Sequence, residues 1–157
     1  MKTLDSEKKK KLKVLYILND LHQFTDQGIL SPTALELPLE LMKNGIDVRV
    51  FHPFFSEIRN SGLSYQELDM NFQIGLGERS YSGNFVRTTH PSGLECIINK
   101  NEGLCAHRLG MLEKTEEDPV HLERLSFFAH SVFAYLRLSG WIPDILHCQG
   151  WETGLVP

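Results

Sequence analysis

The chain has 157 residues, long enough for one domain with a hydrophobic core. Hydrophobic residues make up 41% and charged residues 23%, and the formal net charge of −4 gives no reason to expect nucleic acid or an anionic membrane as a partner. No apolar run approaches the roughly 18–20 residues of a membrane helix, and no signal-peptide pattern follows the N-terminal lysines, so the cytoplasm is the expected location.

Residues 1–12 read as a polar basic tail, with Lys8-Lys9-Lys10-Lys11 at its centre, and residues 13–157 as the folded part. The run Lys13-Val14-Leu15-Tyr16-Ile17-Leu18, bounded by Asn19-Asp20, predicts a buried strand. A polar loop follows to Gly28. Leu30, Ala34, Leu37, Leu41 and Met42 then recur at spacings of three and four and predict a helix, stopped by Asn44-Gly45. Pro38 inside it predicts a kink or local break. A second strand is expected over Ile46–Phe51, ended by His52-Pro53. Strand, helix, strand at this spacing is a βαβ unit, which requires a parallel sheet.

Residues 54–114 carry Gly, Ser and Asn around short β-rich runs, among them Phe85-Val86-Arg87-Thr88 and Leu94-Glu95-Cys96-Ile97-Ile98. These predict hairpin or irregular strands that extend the sheet. Glu113 to Asp118 reads as a charged loop. Asp118-Pro119 then gives an N-cap and a first-position proline to a helix running to about Ser139 and stopped at Gly140. Its apolar residues Leu122, Leu125, Phe128, Val132, Phe133 and Leu136 predict burial on more than one side. Pro143–Cys148 is the next strand, and Gly150-Trp151-Glu152-Thr153 is expected to open another helix. Leu155-Val156-Pro157 is an abrupt end for such a helix. The expectation is a fragment or a shortened gene, with an incomplete sheet prone to self-association.

Cys96, Cys105 and Cys148 are an odd, scattered set without C-x-x-C pairing, and the seven histidines form no H-x-x-x-H or H-E-x-x-H pair. Reduced thiols and no metal site are expected, and no cofactor is implied.

Two segments carry a family resemblance. The first, KVLYILNDLHQFTDQGILSPTALELPLELMKNGIDVRVFHPFFSEI (residues 13–58), and the second, ERLSFFAHSVFAYLRLSGWIPDILHCQGWETGLV (residues 123–156), resemble the glycogen and starch synthases of glycosyltransferase family 5. Gly28, Leu30, Leu37, Pro38, Leu41, Gly45, Asp47, Val48, Arg49, Val50 and Pro53 fall on family positions, so the mid-helix proline is a family feature. The second segment follows the family's E-R-F helix, its G-W-x-P-D-I-x-H sequence and its H-C-H-D-W element. The resemblance implies a partial Rossmann-like, doubly wound, mostly parallel α/β sheet, the first part of the N-terminal domain of a GT-B glycosyltransferase. The implied family reaction is glucosyl transfer from ADP-glucose to an α-1,4-glucan.

The positions that carry the family's chemistry differ here. Its K-x-G-G-L-G-D loop, which implies a lysine on the nucleotide-sugar phosphates and close backbone approach, falls on Asp26, Gly28, Ile29, Leu30, Ser31 and Pro32. A carboxylate in place of the cation turns attraction into repulsion, on the order of several kcal/mol at about 4 Å and an effective dielectric near 20. The family's second histidine in H-C-H-D-W falls on Gln149, which hydrogen-bonds but cannot act as an imidazole acid or base. Its aspartate falls on Gly150, and the Asp-Asn before the E-R-F helix falls on Val120-His121. His147 and Trp151 are retained and read as packing residues ahead of ligand contacts.

The expectation is therefore a synthase-like domain without catalytic residues, inactive as this chain, serving as a glucan-binding or regulatory module. Its expected partner is an α-glucan or ADP-glucose, bound weakly or no longer bound. The alternatives are the N-terminal fragment of an active ADP-glucose-dependent synthase, or a small phosphate-binding α/β protein, against which the absence of G-x-G-x-x-G counts.

Overall fold

The computed structural model describes residues 10–19, 32–55, 58, 62, 64–101, 103–105 and 119–157. In chain order these form β1 (Lys13–Leu18), α1 (Pro32–Lys43), β2 (Asp47–Pro53), β3 (Gln66–Glu67), β4 (Phe72–Leu76), β5 (Arg79–Thr89), β6 (Glu95–Lys100), α2 (Pro119–Ser139) and β7 (Ile145–Gln149), followed by a 3-10 turn over Trp151–Thr153. The strands make one seven-stranded sheet in the order β3-β5-β6-β2-β1-β7, with β4 paired to β5 outside that path. Strands β6, β2, β1 and β7 run parallel to one another, and β3, β4 and β6 each pair antiparallel with β5.

Alternation along the parallel strands divides the core in two. Leu15, Ile17, Phe51, Phe85 and Ile97 point to one face, where they meet Phe127, Phe128, Val132 and Tyr135 of α2. Val14, Tyr16, Leu18, Val48, Val50, Cys96 and Ile98 point to the other and meet Ala34 and Leu35 of α1. A strand covered on both faces must be apolar at nearly every position, which explains why β1 reads as a continuous hydrophobic run. The result is the doubly wound, mostly parallel α/β architecture expected from the sequence.

Several local expectations change. Helix α1 continues through Pro38, which is buried, while Leu37 is 41% exposed. The residues of α1 that pack on the core include Ala34, Leu35, Pro38, Leu39, Leu41 and Met42, and Leu37 is turned outward. Strand β2 includes His52 and Pro53, whose register partners on β6 are Ile98 and Asn99. A proline is tolerated at a strand end, where the missing N–H costs little. Strand β7 is displaced toward its C-terminus and includes Gln149.

Helix α2 buries one broad face, and Leu122 and Phe133 lie outside it, 61% and 48% exposed. Phe133 shares a solvent stripe with His130 and Arg137, three and four residues away. Asp118, read as the cap of this helix, lies outside the described residues, as does the charged loop before it. In the middle of the chain, β5 extends over eleven residues, and neither β3 nor β4 was expected. Gly83 stands at the inward position between Tyr81 and Phe85 and so interrupts the apolar two-residue period of this half-exposed strand.

The β4–β5 hairpin is bound to α2. Phe72 stacks on Phe85 at 4.6 Å and on Phe127 at 5.7 Å, and Tyr81 meets Phe127 edge-on at 6.2 Å. At the hairpin's end, Tyr81 donates to Glu123 Oε2 at 2.5 Å and Arg79 pairs with the same carboxylate at 3.1 Å. At the amino-terminal edge of the parallel strands, the Arg49 guanidinium lies 4.5 Å from the Trp141 ring centroid and donates to the Tyr135 hydroxyl at 2.6 Å. Trp141 Nε1 in turn donates to Asp47 at 3.2 Å. From the basic tail, Lys10 reaches Asp144 at 3.1 Å with its side chain 82% exposed, a contact worth little in water.

Candidate functional site

The chain enters the sheet at β1, builds outward through β2 and β6, and returns to the other side of β1 as β7. Strand order therefore reverses between β1 and β7. In open α/β sheets the loops at such a point diverge to opposite faces and leave a crevice beyond the carboxyl ends of the strands. Here those ends are Leu18 and Gln149, which are register partners.

Of the sequence-predicted residues, His147 and Gln149 meet at Tyr16, and Trp151 follows two residues beyond Gln149 with its ring near His121. His147 and Gln149 are two apart on β7 and share a face with Tyr16 of β1, on the α1 side of the sheet. The His147 ring stacks on Tyr16, centroids 4.5 Å apart and planes 13° from parallel. The Tyr16 hydroxyl donates to Gln149 Oε1. Gln149 is thus fixed through its oxygen, which directs its amide donor away from Tyr16. Cys148 points to the opposite face among the residues beneath α2.

Beyond β7 the backbone turns at Gly150, with φ +86° and ψ 154°. That region is essentially restricted to glycine. A Cβ there would also stand 2.6 Å from Glu152 Oε2. The residue that replaces the family's aspartate is therefore the one this turn requires. Thr153, fully buried, closes the turn by donating to the Gly150 carbonyl at 2.8 Å. The expected helix is a single 3-10 turn in the described chain.

Trp151 departs from the packing expectation. It is 59% exposed, and its one ring neighbour among the described residues is His121, at 5.8 Å and 38°. His121 belongs to the first turn of α2, so the amino end of that helix reaches the same crevice. His121, at a position where the family pattern carries no imidazole, is thus the α2 residue nearest the Trp151 ring. His147, by contrast, has its ring against Tyr16.

Asp26, Gly28, Ile29, Leu30 and Ser31 lie outside the described residues. Pro32 stands at the first position of α1, where its fixed φ suits a helix start and no N–H is lost from the helical ladder. Tyr16 is the site residue that sequence reasoning missed. Alternation gives the face it occupies, but nothing local indicates that β7 will bring His147 and Gln149 against it. Among the described residues, no group of three or more His, Cys, Asp or Glu could hold a metal ion, and no helix is long and apolar enough to cross a membrane.

The fold defines an open α/β domain with its topological switch point between β1 and β7. The chain belongs to the starch synthase catalytic domain family, whose sequence profile matches residues 13–157. It is 29% identical over 146 residues to a glycogen synthase of Clostridium botulinum strain Alaska E43, covering 93% of this chain and 29% of that one. The glycogen synthase of Clostridium perfringens strain 13 is 28% identical over 148 residues, covering 94% and 30%. Among solved structures, the catalytic domain of starch synthase IV from Arabidopsis thaliana, bound to ADP and acarbose, superposes with a TM-score of 0.69 at 20% identity. It covers 93% of this chain and 29% of that chain, and the likeness is one of fold. This chain spans less than a third of the length of these relatives.

Proposed function

We propose that this chain is a synthase-type α/β domain that holds an α-glucan at the β1–β7 strand ends without transferring glucose. The observation that carries the reading is an exposed indole, Trp151 at 59%, standing two residues beyond an amide group bonded to Tyr16 at the same end of the sheet. An indole face accepts the C–H side of a pyranose ring, and the amide of Gln149 accommodates its hydroxyls. His147 holds Tyr16 from the other side and is occupied by that stack.

Transfer is disfavoured on chemical grounds. Gln149 cannot exchange a proton with a reacting sugar in the way an imidazole does. Asp26, Ile29 and Ser31 replace the lysine and glycines of the phosphate loop, so a diphosphate meets a carboxylate where the family pattern has a cation. A glucan-binding or regulatory module is the role consistent with both changes. Its ligand is a neutral polysaccharide, with ADP-glucose a poor one.

Calorimetric titration tests this. Maltoheptaose is expected to bind saturably and Trp151→Ala to remove the heat that belongs to the strand-end site, while ADP-glucose gives none. Saturable ADP-glucose binding would overturn the reading in favour of the amino-terminal part of a transferase. Absence of any maltoheptaose heat would remove the glucan role.

A further inference from the structure

Gly150 leaves the end of β7 without the carboxylate that the family pattern places there, yet a carboxylate stands beside the same point. A Cβ built on Gly150 would lie 2.6 Å from Oε2 of Glu152 and 3.8 Å from its Cδ. The acidic group of Glu152 therefore lies against the position from which a side chain at 150 would start. The 3-10 turn over Trp151–Thr153 folds it back there. That turn is held from within. The N–H and the hydroxyl of buried Thr153 both donate to the Gly150 carbonyl, at 3.3 and 2.8 Å, and Val156 N–H donates to the Thr153 carbonyl at 3.0 Å. The backbone that carries Glu152 is fixed.

Its side chain is uncommitted. Glu152 is half-buried, and among the described residues it makes no hydrogen bond and no ion pair. The other half-buried acidic residues described all have partners. Asp47 accepts from Trp141, Glu95 is bound by Arg49 and Arg87, and Glu123 is bound by Arg79 and Tyr81. A carboxylate that has lost part of its water without gaining a donor is costly, and a ligand that brings donors removes the cost.

The neighbouring groups define what that ligand must offer. Gln149 gives its oxygen to Tyr16 and has its amide donors left, and the indole N–H of Trp151 is a donor with no acceptor capacity. A sugar hydroxyl both donates and accepts, so these two groups alone leave its proton unmet. Glu152 supplies the acceptor, with two oxygens side by side that suit adjacent hydroxyls of one ring.

We infer that Glu152 is a further ligand-binding residue of the strand end, its carboxylate accepting hydrogen bonds from the hydroxyls of a neutral sugar where Gly150 has no side chain to do so. This rests on the strand-end reading and adds to it the acceptor which that reading lacks. The test is an NMR titration of the isotopically labelled whole chain with maltoheptaose, following the Trp151 indole N–H signal in wild type, Glu152→Gln and Glu152→Ala. Glu152→Ala is expected to weaken the affinity about ten-fold, the worth of one hydrogen bond to a charged group, and Glu152→Gln about three-fold, because it keeps one acceptor oxygen. Both variants are expected to melt with the wild type, since the side chain has no partner to lose. Equal affinity in all three proteins would overturn the inference and leave the strand-end reading standing. Equal losses in the two variants together with lowered melting temperatures would make Glu152 a structural residue and overturn it as well. A wild-type indole signal unmoved by maltoheptaose would remove the strand-end reading, and this inference with it.

Discussion

The rings of Tyr16 and His147 are stacked 4.5 Å apart at directly paired positions of β1 and β7, and the Tyr16 hydroxyl continues on to Gln149. One side chain therefore fixes two of the three candidate site residues. Tyr16→Phe retains the stack and removes the donor, and is expected to cost about 1 kcal/mol in urea unfolding. Tyr16→Ala removes a ring that is 2% exposed and is expected to cost about 3–5 kcal/mol. Equal losses from the two variants would show that the hydroxyl, not the ring, holds the strands together.

Gly150 cannot be returned to the family's aspartate without strain. Its φ of +86° with ψ 154° costs a side-chain-bearing residue about 1–3 kcal/mol, while the nearby Glu152 carboxylate is free to swing aside. Gly150→Asp and Gly150→Ala are both expected to lower the melting temperature, with Ala showing that the effect is conformational and not one of charge. Thermal unfolding followed by circular dichroism measures it. An unchanged midpoint for Gly150→Ala would mean the turn relaxes freely.

A buried polar pair fixes α2 on the sheet. Asn99 Nδ2 donates to Ser131 Oγ at 2.7 Å, Ser131 donates to the Phe128 carbonyl at 2.6 Å, and both residues are fully buried. Among the described residues, Asn99 Oδ1 has no hydrogen-bond partner. Ser131→Ala strands the remaining donor and is expected to cost about 1–3 kcal/mol, whereas Ser131→Ala with Asn99→Leu is expected to cost less than the sum of the single changes. Additive losses in the double-mutant cycle would exclude coupling between the pair.

The buried thiols make the fold sensitive to alkali. Burial raises both Cys96 and Cys105 from 9.0 to about 12, and raises Cys148 as well. Above pH about 9 the unfolded chain releases protons that the folded chain retains, so stability falls as pH rises toward 12. Cys96→Ala is expected to flatten that decline in denaturant titrations at pH 8 to 10. At pH 8 a thiol reagent is expected to label half-buried Cys148 first, and Cys96 and Cys105 only as the chain unfolds. Prompt labelling of all three would refute this.

The sequence alone determined the order of the main elements and the family to which they belong. Continuous apolar runs marked β1 and β2, the Asp118-Pro119 start and Gly140 stop bounded α2, and the Trp141-to-Trp151 segment predicted a strand leading into the site. These are local signals, because a strand buried on both faces and a helix with a broad apolar face leave their period in consecutive residues. The changed chemistry at Gln149 and Gly150 was legible in the same way, one position at a time. The tertiary structure decided what those residues meet. Tyr16 and Gln149, 133 residues apart, become partners because strand order reverses at β1. Trp151 is exposed because a glycine-only turn swings it past the edge of β7. The β4–β5 hairpin was hidden by Gly83, which leaves the inward position over Phe72 without a side chain, and its packing on α2 is visible only in the tertiary structure. Contacts between distant segments depend on which strands become neighbours, and that information is spread over the whole chain.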